Sequence, residues 1–410
     1  MANVSSSNGL EKRPKLRFPG FDEPWNTALL SDYFVKSTKK NSDGMISNVI
    51  CNSAKQGLIP QREYFDKDIA NSDNTNGYYI IESNDFVYNP RKSADAPYGP
   101  ISSYQYPEAG IVSPLYLCFR AKREINLLYF EWYFRSSAWH RYIYMSGDSG
   151  ARHDRVSIKD DVFFAMPINV PSAKEQERIS LFLDAIERRI ETQRTLVETL
   201  KKYKRGVVRS LLSPEHCGLK EVQWQCDTIG NLGFFIKGAP LSKADISETG
   251  TPFILYGELY TTYHEVITSV VRKTEAVVEQ VHHSMVGDVL IPTSGETSEE
   301  ISTASCVMLP GVILAGDLNI FRSTKIDGRI MSYILNHIVN GNIARIAQGK
   351  SVVHVQASEI SKIEISYPDP ETQIRIIKVL EAISNRIESC EKELNHLTKM
   401  RNSLLQQLFI

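Results

Sequence analysis

The residues of this chain best suited to chemistry lie in loops rich in basic, aromatic and hydroxyl side chains. The segment from Tyr88 to Tyr106 supplies six candidate contact residues: Arg91, Lys92, Tyr98, Ser102, Tyr104 and Gln105. Cations suit phosphate contacts, and polar loop side chains suit hydrogen bonds to base edges, so this loop could bind a nucleic acid. The alternative is a surface loop whose tyrosines pack on their own domain, and composition alone favours that alternative.

A glycine-bearing basic turn precedes a β-run in each half of the chain. The first turn contributes Arg152, His153 and Arg155, and the second contributes Gln348, Lys350 and Ser351. Glycine lets a backbone approach a phosphate closely, and Lys or Arg adds the charge. Lys243 is a further candidate for phosphate, and the polar candidates for base edges in the second half are Tyr256, Thr293, Ser294, Glu296 and Thr297.

Motifs for self-sufficient catalysis do not occur in the sequence. It has no phosphate-binding Gly-x-x-x-x-Gly-Lys-Ser/Thr and no dinucleotide-binding Gly-x-Gly-x-x-Gly. Asn89-Pro90 is followed by Arg91, not by the Pro-aromatic pair of an adenine methyltransferase, and Ser294 is not in a Gly-x-Ser-x-Gly elbow. The cysteines and histidines lack metal-ligand spacing. We therefore predict no catalytic residue and no metal site, with an unrecognised active site between domains as the alternative.

Composition limits the partners and the compartment. The 410 residues carry a net charge of −1 and are 42% hydrophobic, so any polyanion must be bound by a local basic surface. The N-terminal sequence lacks an apolar signal core, and no apolar run reaches the roughly 18 residues of a membrane helix. The scattered cysteines suit a reducing compartment. We expect a cytoplasmic protein.

Two long helices with related sequences are the elements expected to position these loops. Residues from Pro171 onward match those from Pro368 onward at a constant offset of 197. Apolar residues recur with a 3.5-residue period, which is typical of a two-stranded coiled coil. The predicted seam consists of Ile179, Leu183, Ile186, Ile190, Val197, Leu200, Val207 and Leu211 in the first helix and Ile376, Leu380, Ile383, Ile387, Leu394, Leu397, Leu404 and Leu408 in the second.

The segments before the two helices also match at their edges. Each opens with a tryptophan, Trp25 or Trp224, and each ends in two β-runs before the helix. The sequence thus predicts an α+β tandem duplication with pseudo-twofold symmetry, in which each globular domain is followed by a long helix and the helices pair antiparallel. The predicted boundaries are an arm at 1–20, domains at 21–170 and 218–367, and helices at 171–217 and 368–410. Between the shared edges we expect the domain interiors to diverge.

This layout resembles the specificity subunit of type I restriction–modification enzymes. The resemblance covers nearly the whole chain and rests on "LRFPGFDEPW", on Trp25 and Trp224, and on the helix starts "PSAKEQERISLFLDAIERRI" and "PDPETQIRIIKVLEAISNRI". The second start departs from the family pattern because Thr372 stands where the first has Glu175.

The resemblance implies that each domain is a target recognition domain reading one half of a bipartite double-stranded DNA site, with the coiled coil fixing the spacer. It implies two methyltransferase subunits and restriction (motor) subunits as partners, and no membrane. S-adenosylmethionine, ATP and Mg would be bound by those partners, while this chain would bind no cofactor and catalyse nothing. The alternative is an assembly scaffold with two protein-binding domains on a coiled-coil strut, and the near-neutral charge mildly favours it.

Overall fold

The computed structural model describes residues 13–64, 75–147, 154–349 and 353–410. The chain forms two compact units. Unit 1 contains the chain up to Gln193 together with Glu393–Ile410, and unit 2 contains Arg194–Lys392. Each unit therefore combines one globular fold with a segment of each long helix.

The first half of the chain contains short strands, short helices and one long helix. Its strands are β1 (Asn26–Leu29), β2 (Phe34–Ser37), β3 (Ile50–Ser53), β4 (Gly57–Pro60), β5 (Tyr79–Ile81), β6 (Phe86–Tyr88), β7 (Ile101–Ser103), β8 (Gly110–Val112), β9 (Leu117–Ala121) and β10 (Pro167–Val170). Its helices are α1 (Leu30–Tyr33), α2 (Gln61–Tyr64), α3 (Leu127–Arg135), α4 (His140–Ser146), α5 (Asp160–Phe164) and α6 (Ala173–Leu211).

The second half repeats this plan with additional strands. Its strands are β11 (Trp224–Thr228), β12 (Gly233–Lys237), β13 (Thr251–Leu255), β14 (Val266–Ile267), β15 (Arg272–Thr274), β16 (Asp288–Pro292), β17 (Ser294–Gly295), β18 (Ser305–Val307), β19 (Ile313–Ala315), β20 (Leu318–Ser323), β21 (Val353–His354) and β22 (Glu364–Pro368). Its helices are α7 (Ile229–Leu232), α8 (Glu258–Thr261), α9 (Ser298–Ile301), α10 (Gly328–His337), α11 (Asn340–Ile346), α12 (Ala357–Ile360) and α13 (Pro370–Leu408).

The long helices α6 and α13 have 39 residues each and begin just after the prolines that the sequence singled out. The side-chain amide of Gln176 donates to the carbonyl of Pro171 at 2.9 Å, and that of Gln373 donates to the carbonyl of Pro368 at 2.8 Å. The two glutamines thus fold back in the same way onto the chain that enters each helix. This contact explains why Gln recurs at the same place in both copies, while the proline marks the end of the extended segment before each helix.

The departure of the second helix start from the family pattern, Thr372 in place of Glu, is compensated locally. Glu175 is almost fully buried and accepts two hydrogen bonds from Arg17, at 2.7 and 2.8 Å. At the equivalent position, the Thr372 hydroxyl donates to Asp369 at 2.8 Å. Each buried polar group therefore has a partner, and the exchange of Glu for Thr leaves the helix start intact.

The helices α6 and α13 form the predicted antiparallel coiled coil. In unit 1, Arg401 Nη1 lies 2.8 Å from Glu187 Oε2, while Arg189, farther along α6, pairs with Glu393, which is earlier in α13. In unit 2, Val208 of α6 shares a core with residues of the first turns of α13. Every predicted seam residue is buried or half-buried, as expected for a seam. The predictions of the fold class and of the helix pairing are confirmed.

The central sheets of the two units have the same strand order. Unit 1 has the antiparallel order β2-β9-β6-β7, and unit 2 has β12-β20-β16-β18 with β14 added in parallel at one edge. The register also matches: Phe119 of β9 lies opposite Phe86, and Phe321 of β20 lies opposite Val289. The two sequences diverge between their shared edges, yet the sheet is the same in both units, and the prediction of two similar domains of one fold is confirmed.

An ion pair with a buried aspartate occupies the same place in both sheets. Arg120 Nε donates to Asp85 Oδ1 at 2.6 Å, and Arg322 Nε donates to Asp288 Oδ1 at 2.9 Å. Each aspartate side chain is 1% exposed, and each also accepts a backbone N–H from three residues earlier in the chain. The pairs are 35 and 34 residues apart in sequence. This spacing was a signal of the shared interior that the sequence interpretation missed.

Unit 1 attaches its globular fold to α13 by aromatic packing. The ring of Phe409, just beyond α13, lies 5.6 Å from that of Tyr129 and 6.1 Å from that of Tyr133, both in α3. All three side chains are buried in one core that also contains Leu405 and Leu408. The attachment is therefore mainly apolar.

Unit 2 adds a charged network to the apolar packing of α6 against its globular fold. Lys204 Nζ and His337 Nε2 each lie 2.8 Å from an oxygen of Glu265, and Lys204 Nζ also lies 5.3 Å from the centre of the Tyr333 ring. Burial by itself raises the pKa of Glu265, but the hydrogen bond from His337 and the charge of Lys204 outweigh it and hold that pKa well below its usual value. Glu265 is therefore ionised at neutral pH.

Candidate nucleic-acid interface

In unit 1 the structure brings together two segments that the sequence analysis singled out separately, at residues 90–92 and 154–156. The Lys92 N–H donates to the carbonyl of Asp154 at 2.8 Å, and Arg91 and Arg155 face each other in an antiparallel bridge. Strand β6 ends just before this contact and the α5–β10 segment follows it, so the sheet positions both sides. We call Arg91, Lys92 and Arg155 the unit 1 basic surface.

The charges of the unit 1 basic surface are available to an anion. Arg91 is exposed, while Lys92 and Arg155 are half-buried. Arg91 Nε lies 3.9 Å from Asp154 Oδ2, and both side chains are largely exposed, so water screens this weak pair. Among the described residues, Lys92 and Arg155 have no carboxylate within ion-pair distance. Three cations on neighbouring backbones can thus contact successive phosphates.

The other candidates from the first loop divide by burial. Gln105 is exposed, and its amide donates to Ser103 Oγ at 2.6 Å. Tyr98 is half-buried, with its ring 4.9 Å from that of His140. Tyr104 is fully buried, and its hydroxyl donates to the carbonyl of Glu108 at 2.9 Å. Tyr104 is therefore a core residue, and its selection as a base-reading residue is corrected.

The loop base in unit 1 is organised by a residue that the sequence did not reveal. The buried amide of Asn52 donates to the carbonyl of Val87 at 2.8 Å and to that of Pro100 at 3.2 Å. Its Oδ1 accepts the hydroxyl of the half-buried candidate Ser102 at 2.8 Å. Asn52 thus holds both ends of the loop together. No local pattern signals this role, because its partners lie far away in the sequence.

In unit 2 the corresponding segments also meet. Ser294–Gly295 pairs antiparallel with Val353–His354, and Gln348 forms a further bridge to His354. The exposed or half-buried side chains brought together here are Thr293, Glu296, Thr297, Gln348 and His354, which we call the unit 2 polar surface. The same strand ends therefore present a basic surface in unit 1 and a nearly uncharged polar surface in unit 2.

Two candidates of unit 2 have structural roles. Ser294 is buried, and its hydroxyl donates to Asp317 at 2.8 Å, so its selection as a base-reading residue is corrected. The Thr297 hydroxyl accepts the N–H of Glu300 at 3.1 Å and caps α9, although the side chain remains exposed. Because this hydroxyl accepts an N–H at the start of α9, a ligand that binds it must leave this hydrogen bond in place or supply another acceptor for the N–H.

The remaining candidates of unit 2 lie at different places. Tyr256 is half-buried and packs beside Gly316, next to the Asp317 that holds Ser294. Tyr260, which the sequence interpretation did not select, is also half-buried; burial raises its pKa, with smaller contributions from Tyr256, Glu300 and Glu296. Lys243 is exposed in a short helical turn, and no contact among the described residues joins it to the unit 2 polar surface.

Four candidates, Arg152, His153, Lys350 and Ser351, lie outside the described residues. Across the part of the chain that the structure does describe, no group of His, Cys, Asp and Glu is arranged to hold a metal ion. No helix in those same ranges is long and apolar enough to cross a membrane.

The fold and its surfaces define a duplicated scaffold that presents two different loop surfaces on one sheet architecture. The family model of the type I restriction modification DNA specificity domain matches residues 32–202 and, a second time, residues 221–399. The chain belongs to this family. Both matches include a central sheet, its loops and most of a long helix.

Comparison with known proteins gives the same assignment. The chain is similar to the type I restriction enzyme MjaX specificity subunit of Methanocaldococcus jannaschii, with 24% identity over 258 residues. That match covers 59% of this chain and 58% of the relative, so less than two thirds of the relative's length is matched.

Two solved structures share the fold along nearly their whole length. The S subunit of a type I restriction–modification system from M. genitalium has a TM-score of 0.55 and 15% identity, over 97% of this chain and 99% of that one. A chain from a structure of the complex assembly and conformational transition of a type I R-M system has a TM-score of 0.60 and 16% identity, over 96% and 99%. At these identities the likeness concerns the fold alone.

Proposed function

We propose that this chain is the DNA-reading subunit of a type I restriction–modification complex, in which unit 1 and unit 2 each read one half of a bipartite target. The observation that carries this proposal is the pair of equivalent surfaces. Residues 90–92 meet 154–156 in unit 1, and residues 293–295 meet 353–355 in unit 2, on sheets of identical order. One architecture with different side chains at the same place suits the reading of two different base sequences.

The chemistry of methylation and cleavage belongs to partners in this proposal. The subunit docks two methyltransferase subunits and the restriction subunits, which bring S-adenosylmethionine, ATP and Mg, and it catalyses nothing itself. The assembly acts on DNA in the cytoplasm. This chain contributes phosphate contacts through the unit 1 basic surface and base contacts through exposed polar side chains such as Gln105 and Gln348.

Methylome sequencing tests the proposal directly. Cells that express this chain with the methyltransferase subunit from the same host should carry one split adenine-methylated motif that is absent when this chain is omitted. Adenine methylation that is identical with and without this chain would refute the proposal. The motif also supplies the DNA duplex needed for the binding experiments below.

The coiled coil acts as the ruler between the half-sites in this proposal. Removing four residues around Gln193 and the matching four around Cys390 shortens each helix by about 6 Å while keeping the antiparallel partners in register. The methylated motif should then keep both half-sites and gain a shorter spacer. The length-preserving control Thr192→Ala with Thr195→Ala, both exposed on α6, should keep the original spacer. An unchanged spacer in the deletion variant would exclude the ruler.

A further inference from the structure

Two large side chains at the end of α4 are exposed without a structural reason. Tyr144 and Met145 are adjacent in sequence, and each is 72% exposed. The helix is anchored by other residues, since Ile143 is buried and the Tyr142 hydroxyl donates to the carbonyl of Val162 at 2.8 Å. Exposed apolar residues are common on protein surfaces, but two large neighbours at the tip of one short helix form a small surface that can contact a partner.

The second half of the chain shows that the fold does not need these side chains. Helix α11 has seven residues like α4, and its fourth residue, Ile343, is buried as Ile143 is in α4. The two positions that follow Ile343 are Ala344 and Arg345. A helix of the same length therefore forms at the same place in the fold with a methyl group in place of the tyrosine ring. The formation of this helix therefore does not require the aromatic ring of Tyr144.

The surroundings of the pair indicate what it contacts. The ring of Tyr144 lies 6.4 Å from that of Tyr98, which is in the loop that follows Arg91 and Lys92. Gly147, at the end of α4, packs so closely against Val156 that a Cβ on Gly147 would lie 3.0 Å from it, and Val156 follows Arg155. The pair thus borders the unit 1 basic surface. A polyanion held by those cations would present its neighbouring groups to the exposed ring.

We propose that Tyr144 and Met145 contact the bases of the DNA bound by unit 1, with the tyrosine ring stacking on a base and the methionine wedged beside it at an opened base step. This inference rests on the proposed function and adds residues to it. Aromatic rings stack on bases of any sequence, and apolar side chains such as Met insert between base steps and unstack them. Unit 1 would therefore distort its half-site, whereas unit 2, with Ala344 and Arg345, would not.

A binding experiment separates stacking from charge. The full chain is assembled with its methyltransferase subunit, and its affinity for a duplex carrying the methylated motif is measured by fluorescence anisotropy at several salt concentrations. For Tyr144→Ala we expect affinity to fall by about tenfold with an unchanged salt slope, because the ring carries no charge. Tyr144→Phe keeps the ring and should bind like the unmodified chain.

The matched control is Tyr203→Ala on α6, which removes an equally prominent ring, 59% exposed, outside the globular folds. It should leave affinity and slope unchanged. A second variant, Tyr144→Ala with Met145→Arg, carries the residues that α11 already has, and it provides a folded comparison if the single variant is unstable. Circular dichroism verifies the fold of each variant.

Base unstacking gives an independent measurement. 2-Aminopurine is placed in turn at each position along the half-site of unit 1, and its fluorescence rises when the base is unstacked. With the unmodified chain the fluorescence should rise (brighten) at one position, and with Tyr144→Ala it should not. Unchanged affinity and brightening with Tyr144→Ala, while the unmodified chain still binds its motif, would overturn this inference and leave the proposed function standing. For the double variant only the brightening is compared, because the introduced arginine adds a charge that changes affinity by itself. Loss of methyltransferase assembly with normal DNA affinity would assign the pair to a protein contact and also overturn it. Failure of the unmodified chain to bind any duplex would instead refute the proposed function.

Discussion

The central sheets of unit 1 and unit 2 match strand for strand, whereas the loops above them and the contacts below them differ. Asp85 with Arg120 and Asp288 with Arg322 form the same ion pair, with a buried aspartate, in the same register. Above the sheet, the described surface of unit 1 presents cations, whereas that of unit 2 presents polar groups that include Glu296 and no Lys or Arg. The two copies thus share the contacts that hold the sheet together and differ in the loops above it.

The contacts with the long helices differ by their physical nature. Unit 1 uses the aromatic cluster of Tyr129, Tyr133 and Phe409. Unit 2 also packs α6 on an apolar core, but adds the charged network of Lys204, Glu265 and His337. Apolar burial depends little on salt or pH, while ion pairs depend on both. Two units of one fold should therefore respond differently to the same conditions.

The largest expected loss of stability comes from breaking the shared ion pair, and it tests whether the two sheets depend on that pair to the same extent. Asp288→Ala should destabilise unit 2 by about 4 kcal/mol, because it leaves a charged guanidinium that is only 18% exposed without its partner. Asp85→Ala should cost clearly less, because Arg120 is 46% exposed and water can solvate it. Hydrogen exchange of the strand amides in each unit measures the two losses separately. Equal losses of stability in the two units would show that the exposure of the arginine does not determine the cost of removing its aspartate.

The second prediction tests the aromatic attachment of unit 1. Phe409→Ala should destabilise unit 1 by about 3 kcal/mol, because it removes a buried ring and leaves a cavity beside α3. The loss should be the same at low and high salt. Phe409→Leu, which keeps most of the volume, is the matched variant and should lose much less. A loss that varies strongly with salt would contradict an apolar attachment.

The third prediction tests the charged attachment of unit 2. Glu265→Gln should destabilise unit 2 by about 2 kcal/mol at neutral pH, because Lys204 and His337 lose a buried carboxylate. The pKa of Glu265 is depressed in the folded protein, so its contribution is complete above the unfolded pKa of about 4.3 and is lost as the pH falls below it.

The difference between the unmodified chain and Glu265→Gln should accordingly narrow on acidification, as measured by thermal unfolding from pH 7 to pH 3. The matched comparison is Phe409→Ala in unit 1, whose difference from the unmodified chain should stay constant over the same range. A constant difference for Glu265→Gln would mean that its charge does not stabilise the attachment.

The smallest expected effect distinguishes the two loop surfaces. Arg91→Ala should weaken binding to all duplexes and lower the salt slope by about one unit, because it removes one phosphate contact. Gln348→Ala should leave the slope unchanged and alter the preference at the half-site of unit 2, because an uncharged amide releases no counterion. Titrations of the motif and of a scrambled duplex measure both quantities. An altered slope for Gln348→Ala would assign that residue to the backbone rather than to a base.

The candidate site could be predicted from the sequence only in part. Composition located loops with suitable side chains, and Arg91, Lys92 and Gln105 are indeed accessible. It could not distinguish them from Tyr104 and Ser294, which are equally polar in sequence and buried in the fold. Burial depends on which strands pair, and that is decided by residues far apart in the chain.

The sequence by itself determined the long helices, because periodicity and a flanking proline act over a few turns of one segment. The repeat at an offset of 197 residues also revealed the duplication, since related sequences adopt related folds. Only the tertiary structure decided that Arg91 meets Arg155, that the two sheets share one register, and that unit 2 adds a charged network to its helix contact where unit 1 packs aromatic rings. These pairings join residues tens of positions apart, and local patterns carry no information about which distant partners will meet.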